Sequence, residues 1–218
     1  FTGPLMAKGL EDTAFYTYHP FIAHNEVGDS PGYFGMDADA FHRQMTARRE
    51  NHPMTLNTLS THDTKRGEDA RARLCVLSDV PEQWKKTTID WRRMNRGFRK
   101  TGRGTEIPAA ADEYLIYQSL CAHFPMDNRL DDTFTGRFGE YLVKALREGK
   151  VRSSWSDPDR DYENHTLEFL SQILDPAHEF LENLRDFLSL IIPHGIINSL
   201  AQTILKNTVP GVPDTFQG

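Results

Sequence analysis

The chain has 218 residues, with 31 acidic and 25 basic side chains and a formal net charge of -6 at pH 7. A hydrophobic fraction of 38% with 11% aromatic residues is enough for a substantial core, so the composition excludes wholesale disorder. The acidic balance argues against nucleic acid or an anionic membrane as a partner. The two cysteines, Cys75 and Cys121, exclude a disulfide scaffold and favour the cytoplasm.

The first third of the chain is predicted to be rich in loops. The expected elements are a short helix at 13–18, a helix that runs to about residue 51, a strand at 54–61 and a helix at 67–77. Asp37 or Asp39 is expected to cap the second of these. The strand is predicted from alternating side chains, and it ends at His62 and Asp63.

From Pro81 onward the pattern is almost wholly helical, with Trp84, Trp91 and Phe98 recurring every seven residues on one face. Further helices are expected at 112–124, 134–150, 162–174, 177–192 and 196–206, with a glycine and proline break at 101–108. The last two helices are separated at 193–195 by Pro-His-Gly. Residues 208–216 are predicted to be extended, and no apolar run approaches the ~20 residues of a membrane span.

Both ends favour a piece of a longer protein. The chain opens on Phe1 rather than methionine, and it closes where a strand is just finishing. An active site shared with residues outside the chain is therefore expected.

The segment 60–66 is the first candidate for chemistry, because His62 and Asp63 stand between a strand and a helix. In a parallel α/β barrel this place is the C-terminal rim, where active sites are built. A carboxylate beside an imidazole can bind vicinal sugar hydroxyls, and it stabilises an oxocarbenium-like transition state. From composition alone the commoner alternative is that Asp63 caps the next helix and His62 is incidental.

A second candidate is the loop 8–13, which combines the cation of Lys8 with the carboxylates of Glu11 and Asp12. Three aromatic residues follow, namely Phe15, Tyr16 and Tyr18. Aromatic faces stack on sugar rings while charged groups bind hydroxyls, so this composition suits carbohydrate. The alternative is a capping box with ordinary core aromatics.

A third candidate is a basic run with Trp91 and Phe98 interleaved, which could hold single-stranded nucleic acid. Its members are Arg92, Arg93, Arg96, Arg99, Lys100 and Arg103. A solvated helix face leading into a flexible loop is the favoured interpretation, because the chain as a whole is acidic.

One motif in the sequence bears on metal binding. The His62-Asp63 doublet is similar to that of the all-helical HD-type metal phosphohydrolases, with His24 or His42 and Asp90 as nominal partners, but the strand-like stretch before it weakens this match. The sequence has no C-x-x-C, H-E-x-x-H, P-loop or G-x-G-x-x-G motif, so we expect no metal and no cofactor.

Eight stretches in one order carry a resemblance to a known family. They are GPLMAKGLEDTAFY at 3–16, NEVG at 25–28, STHDTKR at 60–66, EDARARL at 68–74, EYLIYQ at 113–118, KALRE at 144–148, NSLAQ at 198–202 and PGVPD at 210–214. In these stretches the chain resembles the later part of the maltooligosyl trehalose synthases, which are members of the α-amylase superfamily of (β/α)8-barrel glycosidases. Asp29 and the pair Thr215-Phe216 depart from the family pattern.

The resemblance implies an intramolecular glucosylmutase that converts the reducing-end α-1,4 link of a maltooligosaccharide into an α,α-1,1 link, with retention of configuration. Asp63 corresponds to the carboxylate that stabilises the transition state, and His62 to its hydroxyl-binding neighbour. The implied substrate-binding residues are Lys8, Glu11, Asp12, Lys65 and Arg66. The nucleophile and general acid correspond to nothing in this chain, so the chain alone is expected to be inactive.

The implied fold is predominantly α with a few strands, a partial (β/α)8 TIM barrel with a large helical insertion. We expect a barrel segment at 1–66, a helical subdomain at 67–207 and a truncated last strand at 208–218. The expected partners are the maltooligosaccharide and the N-terminal barrel part of the same polypeptide, in the cytoplasm. A metal phosphohydrolase and a non-catalytic helical sugar-binding module remain as alternatives.

Overall fold

A computed structural model describes residues 1–102, 104–127 and 129–216, and this part of the chain is mostly helical with a few short strands. The long helices are α1 Ala38–Asn51, α2 Glu68–Asp79, α3 Pro81–Met94, α4 Ala110–His123, α5 Asp132–Gly149, α6 Arg160–Ile173 and α7 Glu179–Thr208. The strands are β1 Leu56–Asn57, β2 Lys100–Gly102, β3 Thr105–Ile107 and β4 Val212–Pro213. Shorter helical turns lie at Thr2–Pro4, Leu5–Glu11, Ala14–Tyr16, Ile22–His24 and Asn95–Phe98. The predominantly helical class is confirmed.

The helix starts follow local chemistry that the sequence displays. The Asp37 side chain accepts a hydrogen bond of 2.7 Å from the backbone N–H of Ala40, so Asp37 rather than Asp39 caps α1. Pro81 opens α3, where its missing N–H costs nothing. These two starts are confirmed as predicted.

The predicted break at Pro193 is wrong, because α7 runs through it as one helix of 30 residues. A proline inside a helix removes one backbone hydrogen bond and crowds the preceding turn. Packing on both sides of the proline compensates: Ile191 is fully buried, and Gly195 lies against the backbone of Arg73. Tertiary contact therefore overrides the local helix breaker.

Helix α7 packs along α2, and the close approach depends on Gly195. A Cβ atom added there would lie 3.0 Å from the Cα of Arg73, tighter than ordinary van der Waals contact. Polar bonds continue the contact towards the C-terminus, because Asn198 donates to the carbonyl of Ala72 and Gln202 to that of Glu68, both at 3.1 Å.

The same helix, Glu179–Thr208, is long and apolar enough to cross a membrane by length and composition alone. This is weak evidence for a span, since core helices of soluble proteins pass the same test. Its first half lies in the core through Phe180, Leu184 and Leu188, and its second half makes the polar bonds to α2.

The predicted strands at 54–61 and 208–216 are much shorter in the structure. Only β1 and β4 form, and they pair in parallel with Leu56 opposite Val212 and Asn57 opposite Pro213. Thr208 still belongs to α7. A strand needs a partner for each backbone group, and within the described residues each of these strands has only the other. At the predicted break, β2 and β3 form an antiparallel hairpin.

An aromatic cluster forms the centre of the core. Trp91 is fully buried, and its ring centroid lies 5.8 Å from Trp84, 5.2 Å from Phe180 and 5.6 Å from Phe187, with edge-to-face geometry in all three pairs. The helix face that carries Trp84 and Trp91 therefore packs into the core, whereas Phe98 lies beyond α3 in the turn Asn95–Phe98.

The basic run is not a solvated face throughout, so that interpretation is wrong for two of its members. Arg92 and Arg99 both bind the buried carboxylate of Glu113, and Arg92 also binds Glu106 at 2.6 Å. Because Trp91 is buried, it offers no stacking face to nucleic acid. Arg103 lies outside the described residues.

Gly211 has a φ of +132°, and a Cβ atom there would lie 2.5 Å from the carbonyl oxygen of Thr55. We expect Gly211→Ala to destabilise the intact protein by about 2 kcal/mol, because the side chain both strains the backbone and displaces β1 from β4. Thermal unfolding measures the effect. Gly35→Ala is the matched control, since Gly35 has a φ of +74° with nothing within 4 Å. Equal losses of stability in the two variants would contradict the steric part of this argument.

Candidate active site

The parallel pairing of β1 and β4 brings their C-terminal ends to one edge. There the two segments line a depression of about 450 Å³. Its walls are Ser60, Thr61 and Thr64 after β1, Phe216 after β4, and the first turn of α2 at 68–70. The candidate residues His62 and Asp63 lie in the same loop as Thr61 and Thr64, but they are not among the residues that line the depression.

His62 and Asp63 form the exposed tip of the loop beside this depression. The Nε2 atom of His62 lies 3.3 Å from the Oδ2 atom of Asp63, and the two side chains are 80% and 68% exposed. The turn is closed by the backbone N–H of Thr61, which donates to Thr64 Oγ1 at 2.6 Å. Asp63 does not cap α2, because the N-cap position belongs to Gly67. The helix-cap alternative is therefore wrong.

The base of the loop is bound by two charged side chains. Glu26, only 4% exposed, accepts hydrogen bonds from the backbone N–H groups of Lys65 at 2.5 Å and Arg66 at 3.0 Å. Arg71 donates to the carbonyl oxygens of Leu59 and, at 3.1 Å, of Arg66. These bonds hold both ends of the segment 59–66.

Arg66 lies beneath the loop and is almost fully buried. Its guanidinium donates to Tyr141 Oη at 2.8 Å and to the carbonyl oxygen of Ile22 at 3.4 Å. In this position it supports the loop from inside the protein rather than presenting its charge to the depression.

Lys65 joins the loop to the N-terminal segment. Its Nζ atom lies 3.4 Å from Asp12 Oδ1 and 5.4 Å from the ring centroid of Tyr16. The two candidate segments that the sequence singled out, 8–13 and 60–66, are therefore in contact. Glu11, which precedes Asp12, is half-buried.

Asp12 is the centre of this contact because it also pairs with Lys8. Lys8 Nζ lies 2.5 Å from Asp12 Oδ2, and this bond lowers the pKa of the Asp12 carboxyl, with a further contribution from Lys65. Asp12 in turn raises the pKa of the Lys8 ammonium, and Glu148 and Asp63 add weaker attractions. Asp12 thus binds lysines of both candidate segments, Lys8 of the first and Lys65 of the second.

The aromatic residues behind Asp12 divide into two groups. Phe15 and Tyr16 are buried in the structure, whereas Tyr18 is half exposed. The core alternative is thus correct for the first two, and only Tyr18 offers a free face.

The partners nominated for a metal phosphohydrolase bind other groups. The Nδ1 atom of His24 lies 2.9 Å from Asp29 Oδ2, and Asp90 accepts from Arg93 at 3.2 Å. Across residues 1–102, 104–127 and 129–216, no group of three or more His, Cys, Asp or Glu side chains is placed to hold a metal ion.

Comparisons with known proteins agree on one kind of protein. A curated Mycobacterium tuberculosis protein named putative maltooligosyl trehalose synthase is 35% identical over 99% of this chain. A solved maltooligosyl trehalose synthase superposes with a TM-score of 0.86, at 34% identity over 97% of the chain. The solved enzyme of Arthrobacter ramosus superposes with a TM-score of 0.82, at 33% identity over 100% of the chain. A glycosyltrehalose synthase gives 0.85 at 33% over 98%. No family model matches the chain.

The fold and the sequence therefore define the chain as a relative of one segment of the trehalose-forming synthases. More particularly, the chain corresponds to a segment of the maltooligosyl trehalose synthases, and the resemblance read from the motifs is confirmed. It spans 27% of the length of the curated relatives, and 26% to 28% of the three solved chains.

Sequence reasoning missed two residues that form the site. Glu26 and Arg71 lie inside the stretches NEVG and EDARARL, but neither was assigned a role. A glutamate and an arginine in such stretches look like ordinary surface residues. Only their burial and their bonds to the loop backbone show what they do.

We expect Lys8→Met to raise the pKa of Asp12 towards its ordinary value, because the strongest interaction that favours the carboxylate is removed. A lowered pKa in the folded state stabilises the contact at pH values above the ordinary pKa, and that stabilisation is lost as pH falls through the lowered pKa. The variant should therefore lose the Asp12–Lys65 contact at a higher pH than the wild type. NMR titration of the Asp12 carboxyl carbon measures this directly.

Lys85→Met is the control for that titration, since Lys85 is an exposed lysine on α3. An unchanged titration of Asp12 in Lys8→Met would contradict the assigned cause of the pKa shift.

Proposed function

We propose that the chain is part of a maltooligosaccharide glucosylmutase, which converts the reducing-end α-1,4 link of its substrate into an α,α-1,1 link. The observation that carries this proposal is the match of nearly the whole chain to proteins named maltooligosyl trehalose synthase, at 35% identity and TM-scores up to 0.86. Since the chain spans 27% of those relatives, the activity belongs to the longer protein.

In this proposal Asp63 faces the sugar whose anomeric carbon gains positive charge as the glycosidic bond breaks. A carboxylate there lowers the energy of the oxocarbenium-like transition state, and the His62 imidazole binds a neighbouring hydroxyl. The position of the pair in the loop between β1 and α2, whose neighbours Thr61 and Thr64 line a depression of about 450 Å³, supports these roles.

The remaining candidate residues contribute in different ways. Lys8 and Asp12 would bind hydroxyls near the reducing end, with Glu11 beside them, and Lys65 links Asp12 to the loop of Asp63. Lys65 holds Asp12 in place, and Arg66 supports the loop from beneath.

The rest of the longer protein would supply the nucleophile and the general acid. Retaining chemistry needs both, because one forms the glycosyl–enzyme bond and the other protonates the leaving oxygen. His62 and Asp63 are largely exposed in this chain, whereas electrostatic catalysis is strongest where water is excluded. Their exposure supports the proposal that further parts of the longer protein cover them. The anomeric hydroxyl of the cleaved reducing-end glucose, rather than water, must then attack the glycosyl–enzyme intermediate. This attack forms the 1,1 link and releases the carboxylate nucleophile, and the residue that acted as general acid accepts the proton.

For the fold, we propose that β1 and β4 are neighbouring strands of a (β/α)8 barrel whose other strands belong to the longer protein. Their parallel pairing across a long, mostly helical segment, residues 67–207, supports this arrangement, as does the lack of any other strand beside them in the part of the chain that the structure describes. Residues 1–66 and 208–218 would then be barrel segments. We place the protein in the cytoplasm, a location that the free thiols of Cys75 and Cys121 support.

The test is proton NMR of maltohexaose incubated with the intact gene product and, in parallel, with this chain. We expect the intact protein to remove the reducing-end anomeric signal and to produce a 1,1-link signal, whereas this chain does neither. An intact protein that leaves the sugar untouched would refute the mutase proposal.

Asp63→Asn in the intact protein should lower kcat at least about a hundred-fold, because the amide keeps the shape of the carboxylate but not its charge. Asp79→Asn, an exposed position at the end of α2, is the control and should keep wild-type kcat.

Maltooligosaccharide binding by this chain alone that Asp63→Asn leaves unchanged would favour a sugar-binding module. A bound transition metal that His62→Ala removes would favour a phosphohydrolase.

A further inference from the structure

We propose that Glu26 is a positioning residue for the reaction, which sets the place of His62 and Asp63 through the backbone of their loop. This inference rests on the proposed mutase function and adds a residue to it. Glu26 touches neither His62 nor Asp63, and its carboxylate acts through the N–H groups of Lys65 and Arg66.

The geometry of the carboxylate matches its two donors. Oε1 accepts from the N–H of Lys65 at 2.5 Å, and Oε2 accepts from the N–H of Arg66 at 3.0 Å. Oε1 also accepts a longer hydrogen bond, of 3.3 Å, from the N–H of Val27. The two oxygens bind the N–H groups of consecutive loop residues, which fixes the direction of the chain as it leaves the loop. Hydrogen bonds to an ionised acceptor are roughly twice as strong as neutral ones, and burial strengthens them further.

Glu26 is itself held firmly, so it can transmit position. The adjacent Asn25 is completely buried, and its Nδ2 group donates to the carbonyl oxygens of Phe15 at 2.9 Å and Tyr18 at 2.5 Å. The turn at 25–26 therefore joins the N-terminal candidate segment to the loop that carries Asp63.

The tip of the loop has little else to position it. His62 and Asp63 are largely exposed, and the bonds of the tip run within the turn itself, from Thr61 to Thr64 and from Asp63 to Thr61. Bonds within the turn keep its shape but do not fix its orientation relative to the rest of the protein. That orientation depends on the bonds between the base of the loop and its surroundings. The placement of the catalytic pair therefore depends on the base of the loop, where Glu26 binds residues 65–66 and Arg71 binds the carbonyl oxygens of Leu59 and Arg66.

Glu26 also governs the second candidate segment. The same Lys65 whose N–H it binds reaches Asp12 with its ammonium group, and Asp12 binds Lys8. One buried carboxylate thus sets the position of Asp63 and of the Lys8–Asp12 pair together.

The experiment compares Glu26→Gln and Glu26→Ala with wild type in the intact gene product. Glutamine keeps one acceptor oxygen but turns its NH₂ group towards the other N–H, and alanine removes both acceptors. We expect kcat per folded molecule to fall about 10-fold in Glu26→Gln and about 100-fold in Glu26→Ala. KM for maltohexaose should rise by no more than about 3-fold, because the loop of Asp63 is bound to Glu26 directly, whereas the Lys8–Asp12 pair is linked to it only through Lys65. The share of substrate released as glucose should rise in the same order.

Glu113→Gln is the matched buried control. Its carboxylate is also almost fully buried, but it binds Arg92, Arg99 and Tyr117 rather than the loop. This variant should lower the melting temperature and keep the wild-type kcat per folded molecule. Wild-type kcat in Glu26→Gln and Glu26→Ala, or equal losses of kcat in the Glu26 and Glu113 variants, would overturn the inference.

Amide hydrogen exchange separates this inference from the proposed function. In Glu26→Gln the N–H groups of Lys65 and Arg66 should exchange at least about 10-fold faster than in wild type, whatever reaction the protein catalyses. Unchanged exchange at both positions would overturn the positioning role by itself. An intact wild-type protein with no action on maltohexaose would refute the mutase function, even where exchange shows that the loop is bound as described.

Discussion

The packing of α7 against α2 is the contact on which the rest of the arrangement depends. Helix α2 follows the loop that leaves β1, and α7 leads directly into β4, so the contact between the helices and the pairing of the strands close one unit. Gly195 permits the approach because any side chain there would meet the backbone of Arg73. Close packing gains dispersion energy and apolar burial together, which is enough to carry a proline inside α7.

The candidate site is a consequence of that unit. Parallel pairing forces both strands to end at the same edge, so Phe216 comes to face Ser60 and Thr61 although more than 150 residues separate them in sequence. The loop between β1 and α2 then needs only its base to be fixed. Glu26 and Arg71 fix it by binding backbone groups, and the side chains of His62 and Asp63 remain largely exposed.

Buried charge is used in two ways. In the helical part, Glu113 sits between Arg92 and Arg99; burial raises its pKa, while Tyr117 and the two guanidiniums act in the opposite direction. Beside the depression, Glu26 binds neutral N–H groups instead. The first arrangement stabilises packing between helices, whereas the second directs a loop. A buried carboxylate bound to backbone donors is the arrangement that the proposed positioning role of Glu26 requires.

The sequence by itself determined the helical class, the cap at Asp37, the start at Pro81 and the core face of Trp84 and Trp91, because each depends on residues close together in the chain. It also brought out the segments 8–13 and 60–66 and the family that their motifs resemble. It failed at Pro193 and at the strand lengths. At Pro193 the contact of α7 with α2 stabilises the helix in spite of the proline. Strands extend only where a partner distant in sequence supplies hydrogen bonds. Tertiary structure alone decided that Lys65 reaches Asp12 and that Glu26 holds the loop. Those contacts join residues about 40 to 50 positions apart, and no local pattern encodes such pairs.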